Sequence, residues 1–133
     1  VGAQINPDNP ENEEVVFHVT LADPALYDCH TTSSTVCKYR ETVFLEEGMY
    51  EFRFVPNGDS PQTLNISIIG DNTFFSENFE LVGTLVETDI SQYYIWDYRG
   101  QKYFEISGIE KVKMIIDPYG NVMGTVSVYI IQE

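Results

Sequence analysis

Basic residues are scarce in this chain: seven Lys and Arg stand against 21 Asp and Glu, for a net charge of −14 over 133 residues. A field of that sign repels phosphate backbones and anionic lipid, so neither nucleic acid nor a membrane surface is expected as a partner. No apolar run approaches the roughly 20 residues of a membrane-spanning helix. Histidine and cysteine are nearly absent, with only His18, His30, Cys29 and Cys37, and their spacing matches no zinc pattern. There is no G-x-S-x-G, no H-E-x-x-H and no glycine loop that would cradle phosphate. Without a nucleophile set beside a base, the chain is not expected to be an enzyme or to need a cofactor. Alanine- and leucine-rich runs are missing too, which argues against a helical core.

What remains is rich in β-branched and aromatic residues: 43% of the chain is apolar, with eight Phe, nine Tyr and one Trp. A chain of this length fits one domain, and folding it should bury roughly two-thirds of the unfolded surface. Strict alternation marks the strands. Tyr50, Phe52 and Phe54 share one face of Met49 to Val55, with Glu51 and Arg53 opposite. Leu64, Ile66 and Ile68 alternate with Asn65 and Ser67, and Val112, Met114 and Ile116 with Lys113 and Ile115. Further strands are expected at Val15 to Leu21, Thr42 to Leu45, Phe79 to Glu87, Gln92 to Tyr98, Lys102 to Ile106 and Thr125 to Ile131. Turns rich in Gly, Pro, Asn and Asp separate them, as at Pro56-Asn57-Gly58-Asp59 and Asp117-Pro118-Tyr119-Gly120. About eight to ten short strands without a helical period predict an all-β, antiparallel, two-sheet sandwich of the Ig-like or jelly-roll kind.

Residues 22 to 39 read as a long loop that holds both cysteines. The pair Cys29 and Cys37, closing a short polar ring, reads best as a disulfide. Disulfides persist in oxidising compartments, so the protein is expected outside the cell or at its surface. A first residue that is Val rather than Met fits a chain trimmed during export.

Several residues invite a functional reading. Asn65-Ile66-Ser67 matches the acceptor pattern for an N-linked glycan. Tyr94, Trp96 and Tyr98 lie along one face of a strand. Exposed, they would stack against sugar rings of a polysaccharide; buried, they would fill the core or an interface. Asp59, Asp71 and Asp117 sit in acidic turns that could supply oxygen ligands to Ca2+, although turn chemistry explains them equally well.

The N-terminal 14 residues form a separate region. Val1, Ala3 and Ile5 alternate with Gly2 and Gln4, and Asn6 to Glu14 is a polar stretch with two prolines and four acidic residues. An alternating apolar segment on a linker can join the open sheet edge of another molecule. This plan, an arm followed by a sandwich from Val15 onward, resembles exported pilus- or fibre-forming subunits assembled by donor-strand complementation. The resemblance implies a structural protomer that polymerises with itself, head to tail. Val1, Ala3 and Ile5, or alternatively the strand carrying Val15, Phe17 and Val19, would be donated. A carbohydrate-binding module and a calcium-stabilised adhesion domain are the rival readings.

Overall fold

The computed structural model describes residues 14–31 and 35–133. The chain is almost entirely strand: β1 (Glu14–Leu21), β2 (Asp28–Thr31), β3 (Thr35–Leu45), β4 (Gly48–Pro56), β5 (Thr63–Ile69), β6 (Phe74–Glu87), β7 (Gln92–Arg99), β8 (Tyr103–Ile106), β9 (Glu110–Asp117) and β10 (Val126–Gln132). One short 3-10 turn, Pro24–Leu26, precedes β2, capped by the Asp23 side chain accepting from the Ala25 N–H. Two antiparallel sheets pack face to face, a four-stranded sheet ordered β1-β10-β4-β8 and a six-stranded sheet ordered β2-β3-β9-β5-β6-β7. The expected two-sheet sandwich is therefore the fold.

The inward residues are those the alternation selects. Tyr50 and Phe52 from β4, Leu64, Ile66 and Ile68 from β5, Val112, Met114 and Ile116 from β9, and Val126, Val128 and Ile130 from β10 are all buried. Phe52 sits at the centre of a ring cluster, with Phe54, Phe75, Phe79 and Phe104 at centroid distances of 5.1–6.4 Å. Those tilted and offset contacts add to the burial of the rings themselves.

Two local expectations need correction. Residues 22 to 39 are not a plain loop: they contain the β2–β3 hairpin, in which Cys29 and Cys37 are directly opposite and joined by a disulfide. In addition, Val15 does not share a face with Phe17. The register of β1 on β10 shifts between these residues, so Val16 is an extra residue and Val15 turns outward.

The strand register also defines two poles. At one pole lie Glu14, Gln132 and Tyr50 of the small sheet, with the β3–β4 turn, the end of β5 and the start of β9. Glu14, where β1 begins, lines a cleft with Phe44, Glu46 and Gln132. At the other pole β6 outruns its partner: β5 pairs with it only as far as Glu80, while β6 and β7 pair on to Glu87 and Gln92. The β6–β7 hairpin thus carries about 20 Å of strand past that pairing.

Candidate assembly site

A sheet edge offers unpaired N–H and C=O groups to any strand that arrives, and proteins usually blunt such edges. Among the described residues, three of the four outermost strands are blunted here, and the flank of β3 left open beyond β2 carries Arg40 and Glu41. β2 and β8 are four residues long, and β1 carries the bulge at Val16. The fourth, β7, is eight residues long and pairs with β6 without a register shift. Its only charges, Asp97 and Arg99, lie at the end nearest the core, which leaves Gln92 to Trp96 uncharged.

The β6–β7 hairpin is apolar on both faces. Leu85 and Tyr94 are opposite each other and exposed on one face, and Tyr93 and Ile95 are exposed on the other. Ile90, in the loop at the tip, is 94% exposed. Thr88 holds that loop: its Oγ accepts from the Ser91 N–H at 3.0 Å, and its own N–H donates to the Ser91 carbonyl at 2.8 Å. The hairpin is anchored at its base. Trp96 lies across Gly83 on the neighbouring strand, where a Cβ would stand 2.6 Å from the ring, and closely against Gly58 in the β4–β5 loop. Tyr98 donates from its hydroxyl to the Pro61 carbonyl at 2.6 Å, and burial raises its pKa above the ordinary tyrosine value.

Of the two readings of the aromatic row, the placement favours the core. Tyr94, Trp96 and Tyr98 do share a face, but Tyr98 is 2% exposed and Trp96 is packed against the core cluster. Only Tyr94, 56% exposed and 5.6 Å from the Trp96 ring, faces outward. One open ring does not make a flat row for a polysaccharide chain.

The remaining candidates fall on other surfaces. Val1, Ala3 and Ile5 lie outside the described residues. Phe17 and Val19 are half-buried against the core, in a strand that pairs with β10 of its own chain. Asn65 faces outward on β5 between Asp117 and Asn78, and its amide donates to the Asn78 Oδ1 at 2.8 Å. Asp59 donates its N–H to Asn57 Oδ1, and Asp117 accepts from the Tyr119 N–H, both ordinary turn bonds. Asp71 belongs to the β5–β6 turn. That turn is gripped by Glu110, whose carboxylate accepts from the Thr73 hydroxyl and from the Asn72 N–H at 2.8 Å. The Thr73 bond first, then the turn N–H groups, hold the Glu110 pKa below its usual value. Among the described residues no three His, Cys, Asp or Glu side chains gather as a metal would require. No described helix is long and apolar enough to cross a membrane.

Sequence reading did not find a patch on the outward face of the large sheet. There a row runs Thr42, Lys113, Ile69, Phe74 across β3, β9, β5 and β6, with Phe44 and Lys111 beside it. A shallow groove of about 400 Å³ opens among Thr42, Ile69, Lys111, Lys113 and Ile115. The outward half of each alternation supplied the signal: a lysine pair at 111 and 113 and an exposed Phe74 where polar residues are the rule.

No protein-family model, no curated protein and no solved structure matches this chain.

Proposed function

We propose that this protein is an extracellular structural protomer that assembles head to tail into a filament by β-strand addition. The apolar alternation of Val1, Ala3 and Ile5 would join the β7 edge of a second copy. The observation that carries this reading is the unblunted β7 edge, on a hairpin apolar on both faces, at the pole opposite to the start of β1. A donor that leaves one pole and an acceptor at the other give a heterologous contact, which repeats without closing. The eight residues from Asn6 to Glu13 can span at most about 26–29 Å, enough to step from one copy to the next. The disulfide in β2–β3 supports an oxidising setting. A chain lacking residues 1–13 should keep its melting temperature within a few degrees and remain monomeric by sedimentation, while the full chain forms fibres under the electron microscope. Oligomers of undiminished size after the deletion would end the proposal.

A further inference from the structure

The lysine groove on the large sheet and the tip of the β6–β7 hairpin complement each other, and they sit at opposite poles. The groove lies towards the pole where β1 starts, because Ile69 and Lys113 pair near the end of β5 and Lys111 is one residue from the start of β9. Neither lysine ammonium has a hydrogen bond or ion pair with a described residue. Lys38 and Arg99 likewise have no such partner among the described residues, but Lys111 and Lys113 are the two that lie side by side along one face of one strand. Apolar side chains rim them: Phe74 is 76% exposed, and Ile69 and Phe44 are exposed as well. Asp71 is the one carboxylate that lines the groove, and it belongs to the turn that Glu110 fixes.

The hairpin tip carries the opposite pattern. Ile90, the most exposed large apolar side chain among the described residues, follows Glu87 and Asp89 in the chain. From these two surfaces we infer that the hairpin tip of one copy docks into the Lys111/Lys113 groove of the next, with Ile90 against Ile69 and Phe74, and Glu87 and Asp89 facing the two lysines. The contact rests on the head-to-tail reading but uses different residues from strand addition. It would place each acceptor hairpin beside the pole from which its donor segment starts. An apolar centre between charge pairs gives affinity from the centre and register from the rim. The charge pairs, being at the surface, weaken as salt rises.

Charge reversal tests this. The K111E/K113E chain and the E87K/D89K chain should each need about 100-fold or more higher concentration for half-assembly, read by sedimentation, because like charges then face each other. The chain with all four reversals should assemble again, and an equimolar mixture of the two double variants should assemble as an alternating copolymer although neither does so alone. Assembly of K111E/K113E at the wild-type concentration, with the 1–13 deletion still monomeric, would overturn the hairpin contact and leave strand addition standing. A four-fold variant that stays monomeric while keeping the wild-type melting temperature would also overturn the contact. A wild-type chain that is monomeric at every concentration would overturn both.

Discussion

Adding a single methyl group at Gly83 should loosen the base of the hairpin. An ideal Cβ there would stand 2.6 Å from Trp96 Cζ3, 2.8 Å from Cη2 and 3.0 Å from Cε3. Carbon atoms in good contact are about 3.5–4.0 Å apart, so the indole must retreat by about 1 Å. Overpacking of this kind costs about 1–3 kcal/mol. Replacing a strand glycine recovers about 0.5–1 kcal/mol of backbone entropy. The net for Gly83→Ala is a loss of about 1–2 kcal/mol, or roughly 3–10 °C in melting temperature for a domain of this size. Because Trp96 is the sole tryptophan, its fluorescence reports both the unfolding midpoint and the displaced ring. Gly108→Ala is the control, since a Cβ there meets nothing within 4 Å. If Gly83→Ala melts with Gly108→Ala and leaves the emission maximum in place, Trp96 does not lock the hairpin.

Acid should act partly through Glu110. Its folded pKa lies below the ordinary 4.5, so in that range the unfolded chain binds the extra proton and stability rises with pH. The stabilisation is complete above about pH 4.5 and disappears as pH falls through the folded value. The melting-temperature gap between wild type and Glu110→Gln should therefore close on titration from pH 6 to pH 3; a constant gap would refute this. Reduction of Cys29–Cys37 should cost roughly 2–3 kcal/mol by the loop-entropy argument. Urea midpoints with and without reductant would measure it, and equal midpoints would show that the β2–β3 hairpin opens independently of the rest.

The inward faces of β4, β5 and β9 were legible because their period-2 pattern is set by one covered face, and the covered face is apolar. The β2–β3 hairpin was not, because its paired residues are mostly polar, as in Asp28/Lys38 and Thr31/Thr35, and a disulfide does there what apolar alternation does elsewhere. The bulge at Val16 left no trace either, since Val15, Val16 and Phe17 are all apolar and any of them suits an inward position. Trp96, as the single Trp of a sandwich, suited the core better than a ligand, but alternation alone did not decide it. The decision came from Gly83 and Gly58, which flank it only once β6, β7 and the β4–β5 loop are brought together. The assembly site required strand order: that β7 is an edge, and that it lies far from the start of β1, follows from pairings between distant segments. The lysine groove combines side chains of β3, β5 and β9, none of which announces the others.

The position of β10 between β1 and β4 has a consequence for how the chain is made. A nascent chain that has not yet reached Val126 has no middle strand on which β1 and β4 can meet, so its small sheet remains open until residues 126–132 emerge. The local β2–β3 and β6–β7 hairpins can form well before that, but final closure waits on contacts between segments more than 100 residues apart. The large sheet, whose strands are all made by Asp117, can be complete while the small one still lacks its centre, so the sandwich closes last along β10.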